Sequence, residues 1–270
     1  MILSTWPQNV ALNGRDVYSK IANCFTVSEN SMDADMAFIW SVLWHGRMAP
    51  NKQVWDHYRS QNKPVLVAEV GGLVRGQTWR LSINGIGNNA TFPLVENIDP
   101  DRPSKLGLFL RPWNKSGDKI LICGQHDKSM MWDNMPPMID YYKQLVSHLR
   151  SKTNRPIVIR NHPRCPVHSE YLGENVTWQT PQKQQGSYDS YDMDFNEYHC
   201  VISHSSNMGI QAILHGVPAI VSSDSLAHDV GSVDIENLNY PDREKWLISL
   251  SHKEWTLDEL QNIAMGIDIL

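Results

Sequence analysis

Two polar clusters in this 270-residue sequence follow directly on short apolar runs of the kind that form buried strands. Arg160-Asn161-His162-Pro163 continues PIVIR, and Ser203-His204-Ser205-Ser206-Asn207-Met208-Gly209 continues CVIS. In the first, the proline stops the strand and leaves a guanidinium and an imidazole at its end. In the second, hydroxyls and backbone N–H groups gather where a helix begins, which makes an anion site without a metal. Each cluster also has a plain explanation. The first could be a polar turn that contains a histidine, the second ordinary N-capping by Ser206 or Asn207. A cap needs one such residue, whereas four crowd this turn, so phosphate binding is favoured. Gly209 would let a ligand approach the first helical turn closely.

A reaction at such a site also needs a proton acceptor. Glu69 follows PVLVA and stands among apolar neighbours and two glycines, an environment that suits a base. It could instead bind the N–H groups of Gly71 and Gly72, or pair with Arg47 or Arg75. His45, after FIWSVLW, is the second candidate, and Asp33 and Asp35 fit a helix or strand flank better. No metal is expected. The string Asp192-Met193-Asp194 spells a D-x-D motif, but the polar residues before it indicate a solvated loop or a helix start. Eleven histidines include no H-x-x-x-H or H-E-x-x-H spacing. Four widely spaced cysteines form no C-x-x-C pair, which argues against a zinc ribbon and a disulfide framework; three of them read as small buried hydrophobes.

The elements that must carry these residues are clearest in the second half. Strands are predicted at Lys119–Gly124, Pro156–Arg160, Val176–Gln179, Cys200–Ser203 and Val217–Ser222, with an amphipathic helix over Met138–Arg150. A further helix from about Asn207 to His215 is closed by Gly216. Such alternation gives a parallel sheet with helices on both faces. Strand ends on one edge of that sheet are where ligands bind. The first half repeats the grammar less clearly. Strands are expected at Met1–Thr5, Asp35–Trp44, Pro64–Val70 and Thr78–Asn84, and helices at Asp16–Phe25 and Lys52–Gln61. Gly85–Asp118 reads as long loops. Asp242–Leu270 reads as two helices, the second opened by Thr256 with Glu259 three residues on.

A net charge of −5 excludes a uniformly basic nucleic-acid binder. Residues 71–119 nonetheless hold seven Lys/Arg against four acids, so a local anionic contact is permitted. Most of the ten tryptophans fit a core. Trp79 and Trp113, beside Arg80 and Arg111, could instead face a sugar or an unstacked base. No apolar stretch approaches a membrane span and no signal peptide is visible, so a cytoplasmic protein without membrane contact is expected.

With the His-Pro turn, the Ser-Ser turn and GIQAILHGVPAIV behind it, the second half resembles metal-independent GT-B glycosyltransferases. Capsule-type Kdo transferases and bacterial sialyltransferases carry this pair of motifs. WSVLWHGRMAPN and VLVAEVGGLVRGQTWRLSINGIG in the first half resemble phage-encoded glycosyltransferases, some of which decorate hydroxymethylated pyrimidines in DNA. The resemblance implies an α/β fold of two Rossmann-like domains facing a central cleft, a trimmed GT-B chain. Residues 1–115 would form the acceptor side, 116–245 would bind the nucleotide-sugar, and helices of 246–270 would close the cleft side. Donor contacts would come from Gly124, Gln125, Arg160, His162, Ser203, His204, Ser205, Ser206 and Gly209. Glu69 or His45 would be the base, with Arg47, Arg75, Trp79, Arg80 and Arg111 on the acceptor. The expected reaction moves a sugar from a nucleotide-sugar, UDP-linked, to a hydroxyl on modified double-stranded phage DNA in the host cytoplasm. A CMP-sugar-dependent capsule-type transferase and a catalytically inactive nucleotide-binding module are the alternatives.

Overall fold

A computed structural model describes residues 1–182 and 193–267. The chain forms two compact units: residues 1–102, 128–130 and 248–270, and residues 103–127 and 131–247.

The second unit is built on a five-stranded sheet of β6 (Lys119–Cys123), β7 (Ile157–Arg160), β8 (Val176–Gln179), β9 (Tyr198–Ser203) and β10 (Ala219–Ile220). All its pairings are parallel, in the order β10-β9-β6-β7-β8. Strands covered on both faces lose contact with water on every side chain, which is why they read as unbroken apolar runs. Helix α4 (Met138–Arg150) sets Met138, Tyr142, Val146 and Leu149 onto the sheet, where they meet Ile120, Ile122, Ile157, Ile159 and Ile202. Helix α5 (Asn207–Leu214) starts at Ser206, whose hydroxyl accepts the Met208 N–H, and ends before Gly216 at φ +77°. That left-handed turn is the one glycine tolerates best.

The first unit holds a six-stranded sheet of β1 (Ile2–Thr5), β2 (Thr26–Glu29), β3 (Met36–Trp40), β4 (Val65–Val70), β5 (Thr78–Ile83) and β11 (Glu254–Thr256), in the order β11-β5-β4-β3-β1-β2. The four strands at the β2 end are parallel, and β5 and β11 are antiparallel additions. Helices α1 (Arg15–Ala22) and α2 (Asn51–Ser60) belong to this unit, and α2 packs Val54 and Tyr58 on Ile39, Val65 and Val67. Residues 85–118 are irregular apart from α3 (Arg102–Lys105).

Several elements depart from the sequence reading. The strand expected over Asp35–Trp44 spans only Met36–Trp40, because Ser41 turns left-handed at φ +63°, and Val217–Ser222 contributes only Ala219–Ile220. Thr26–Glu29 is a strand with three of its four residues exposed, so it carries almost no apolar signal. The C-terminal segment is not a pair of helices standing apart. Between α6 (Glu244–Ser251) and α7 (Leu260–Met265) it adds β11 to the first unit's sheet. Glu259 does reach back to Thr256, accepting its N–H and its hydroxyl at 2.8 and 2.9 Å. Among the described residues no helix is long and apolar enough to cross a membrane.

Candidate functional site

Within the second unit the chain runs β6, β7, β8 to one side and then returns to place β9 on the other side of β6. The sheet order therefore reverses between β6 and β9, and such a switch point leaves a crevice outside the carboxyl ends of the strands. Register puts those ends level, because Cys123 lies opposite both Arg160 of β7 and Ser203 of β9. The turns that follow are Gly124-Gln125-His126, Asn161-His162 and His204-Ser205-Ser206. Gln125 spans the switch point: its Oε1 accepts the Ser205 hydroxyl at 3.0 Å and the Ser205 N–H at 3.2 Å.

The His162 turn is held from below by Asn161, which is 2% exposed. Its side chain donates to the Val167 carbonyl and to Thr180 Oγ1 and accepts the Val167 N–H. His162 Nδ1 accepts the Arg164 N–H at 3.2 Å. A ring that accepts at Nδ1 carries its neutral-form proton on Nε2, the nitrogen suited to donate to a phosphate. His204 is half-buried, its ring edge-on to Trp132 at 5.3 Å and its Nε2 3.9 Å from Asp224. Burial lowers its pKa and outweighs the nearby carboxylate, so the imidazole is neutral at neutral pH. Ser203 Oγ is buried and makes no hydrogen bond among the described residues. The Cys123 thiol is pushed up to about 12 by burial and stays protonated.

Several expected donor contacts are otherwise employed. Arg160 directs its guanidinium to Gln179 on β8 at 2.8 Å, on the side of β7 away from β6. Gly209 is required for packing, since a Cβ there would come within 2.8 Å of Val221 Cγ1. Gly124 is similar. A Cβ on it would overlap the hydroxyl oxygen of Tyr142, a buried group with no hydrogen-bond partner among the described residues. Ser206 does cap α5, as the plain explanation had it, though its hydroxyl proton remains available to a ligand.

In the first unit, Glu69 lies near the end of β4 and is half-buried. Its Oε2 accepts the Ser41 hydroxyl at 2.6 Å and its Oε1 the Val70 N–H at 2.8 Å. Ser41 follows β3 directly and adopts φ +63°, a left-handed conformation costly for a residue with a Cβ. His45 and Arg47 are exposed beside a single helical turn at Gly46–Met48. Neither loop N–H group offered above to Glu69 reaches it: Gly71 donates to the Thr78 carbonyl, and Gly72 to another carboxylate. Glu254, with no exposed surface, accepts the N–H groups of Gly72 and Leu73, the Thr78 hydroxyl and Arg80 Nε, and pairs with Arg80 Nη2 at 2.8 Å. Arg80 and Trp79 are consequently core residues, not acceptor contacts. Trp113 is likewise engaged: its indole N–H donates to the Pro241 carbonyl and Arg243 stacks 3.8 Å from its ring centre. Arg75 is half-buried, and Arg111 is the exposed member of the acceptor set in the second unit.

Sequence reasoning did not find Glu254, Tyr142, His126, Asp127 or Cys165. The first two are single residues inside ordinary β and α patterns, and of the last three Cys165 lies far along the chain from the adjacent His126 and Asp127. Two cysteines are buried and two, Cys24 and Cys165, are partly exposed, so one fewer than expected is fully apolar in setting. Asp194 accepts the Asn196 N–H at the head of a single helical turn, while Asp192 lies outside the described residues.

No family model matches the sequence, and no curated protein matches it. Solved structures do. The β-Kdo 2,4 transferase of KpsC from Thermosulfurimonas dismutans superposes with a TM-score of 0.55 at 12% identity, over 98% of each chain. The β-Kdo 2,7 transferase of the same organism's KpsC gives 0.57 at 15% identity, again over 98% of each. The fold is GT-B-like. At these identities the likeness is one of backbone architecture, an α/β chain with two parallel-sheet regions. Neither match brings phage DNA glycosyltransferases into view.

Proposed function

We propose that this chain is a glycosyltransferase that moves a sugar from a nucleotide-sugar to a hydroxyl, with a CMP-linked acidic sugar as donor and a carbohydrate as acceptor. The observation that carries the reading is the alignment of three strand ends at the switch point, bearing Gln125, His162 and the Ser205-Ser206 pair. Departure of a nucleoside phosphate builds negative charge on its oxygens. The groups supplied there are an imidazole N–H, two hydroxyls and the N-terminus of α5, all donors or positive dipole ends. His162 would donate from Nε2, Ser206 from its hydroxyl, and Ser205 after exchanging Gln125 for a phosphate oxygen. Glu69, held by Ser41, would take the acceptor's proton.

The capsule-type donor is preferred because both matched structures are named as Kdo transferases. Modified DNA is set aside as acceptor. Of the acceptor-side cations expected to meet its phosphates, Arg80 is buried against Glu254; in the same basic segment, Arg102 is committed to Glu259 and to the carbonyls of Ser251 and Glu254. A polyanion gains affinity from cations that stay exposed. The test is a thermal-shift and product screen with CMP-, UDP-, GDP- and TDP-sugars. CMP should stabilise the protein, with the shift lost in His162→Ala, and a CMP-sugar should yield transfer. Stabilisation without turnover on any donor would identify a binding module instead, and a response confined to UDP would reject the donor class.

A further inference from the structure

We propose that His126, Asp127 and Cys165 form a binding site for a zinc-class divalent ion. The site is independent of the transferase reading, since it can be measured with no nucleotide present. An imidazole nitrogen, a carboxylate oxygen and the Cys165 sulfur all lie within 4.8 Å of one another. Cys165 Sγ is 3.3 Å from Asp127 Oδ1, and His126 Nδ1 is 3.4 Å from the same oxygen.

These separations can be compared with a coordination polyhedron. Bonds of about 2.0–2.3 Å to nitrogen, oxygen and sulfur in a tetrahedron place N and O roughly 3.4 Å apart and S and O roughly 3.6 Å apart. The observed pairs stand at those edge lengths to within a few tenths of an ångström. The donor set of one thiolate, one imidazole and one carboxylate is soft enough to prefer zinc over magnesium or calcium, which take oxygen. Three protein donors leave a fourth position for water or an anionic oxygen, the pattern of sites that meet a ligand.

The two turns that bring the donors together are fixed by the sheet. His126 and Asp127 follow β6, and Cys165 follows its parallel neighbour β7, whose ends are in register. The Cys165 N–H donates to the His162 carbonyl at 3.1 Å, closing a tight turn that sets the sulfur opposite Asp127. His126 is 5% exposed and its ring is edge-on to that of His162 at 5.5 Å, so packing limits its rotamers. A site assembled on such supported turns loses little freedom on binding. Binding deprotonates the thiol, and the proton leaves to solvent.

Cobalt(II) reports each of these ligands. Reduced, chelator-treated full-length protein titrated with Co²⁺ should take up an equimolar amount, with a thiolate-to-cobalt charge-transfer band and the strong visible bands of tetrahedral coordination. Zn²⁺ should displace it and Mg²⁺ should not. Cys165→Ser should abolish the charge-transfer band, and Cys24→Ser should leave it intact. His126 is buried and its loss could disturb folding, so the exposed Asp127→Asn is the second variant. It should weaken binding by more than about a hundredfold, beyond the roughly 10–100-fold that outer-shell changes alone cause. Absence of equimolar uptake by the wild type, or an unchanged spectrum in Cys165→Ser, would overturn the assignment and leave a thiol hydrogen-bonded to a carboxylate.

Discussion

Replacing Gly124 by alanine tests the geometry of the β6 strand end directly. Gly124 has no left-handed backbone conformation, so alanine is permitted there on φ grounds and the whole effect is steric. The added methyl would collide with the Tyr142 hydroxyl, while the next atoms, Tyr142 Cζ and the His162 nitrogen, stand at 3.3 and 3.4 Å. Overpacking of a well-filled site costs about 1–3 kcal/mol. For a chain of this size that corresponds to a fall in Tm of roughly 2–12 °C. The Tyr142 hydroxyl is itself buried without a partner, a burden of about 1–3 kcal/mol by general experience. Tyr142→Phe should therefore be neutral or stabilising alone, and it should rescue Gly124→Ala. The double variant is expected within about 1 kcal/mol of Tyr142→Phe, a coupling well above the few tenths seen for independent sites. Urea unfolding followed by tryptophan fluorescence on all four proteins measures the cycle. If the double variant is as unstable as Gly124→Ala, the hydroxyl is not what glycine makes room for and the account of this turn fails.

Other outcomes follow from the same structure. Glu254→Ala removes the carboxylate of the buried Arg80 pair and should cost about 3–5 kcal/mol in unfolding experiments, as breaking one side of a buried pair does. Glu69→Gln should remove transfer to acceptor while calorimetry shows donor binding unchanged. Ser206→Ala removes the cap of α5 and should lower stability by about 0.5–2 kcal/mol as well as weakening the nucleotide-induced thermal shift. Burial opposes ionisation of Glu259, but hydrogen bonds from Arg102 and Thr256 prevail and bring it down to about 2, from 4.5 unfolded. A depressed carboxyl stabilises the fold above the unfolded value and loses that contribution as pH drops toward 2. Arg102→Met should therefore flatten the decline of Tm between pH 5 and pH 2, and an unaltered decline would mean that other carboxylates set it.

The second unit was legible because burial on both faces leaves strands nothing to do but be apolar. KILIC, IVIR and CVIS announce themselves, though β9 begins two residues before CVIS, and Met138–Arg150 shows its helical stripe over its whole length. The edges of the first unit's sheet were not. TVSE at β2 is polar because it faces water, and EWT at β11 is too short for a period and opens with a buried acid that any hydropathy argument puts outside. Turns after strands gave the site its candidates, since position after an apolar run is itself a signal. What those side chains then do was decided by neighbours distant in sequence. Arg80 looked like an acceptor contact until Glu254 came within 2.8 Å, and nothing in the spacing of Cys165 pointed to Asp127 beside it.

The late arrival of β11 sets the order in which the chain can be finished. Strand β5 and Arg80 leave the ribosome early, but the carboxylate that neutralises Arg80 and gathers the 72–73 loop is made some 170 residues later. Until then the first half of the polypeptide lacks that carboxylate and keeps an open sheet edge, whereas the described residues of 103–247 already contain every strand of their own sheet. A nascent chain halted before residue 254 should thus present one finished sheet and one awaiting its last strand, with chaperone contacts expected on the older half.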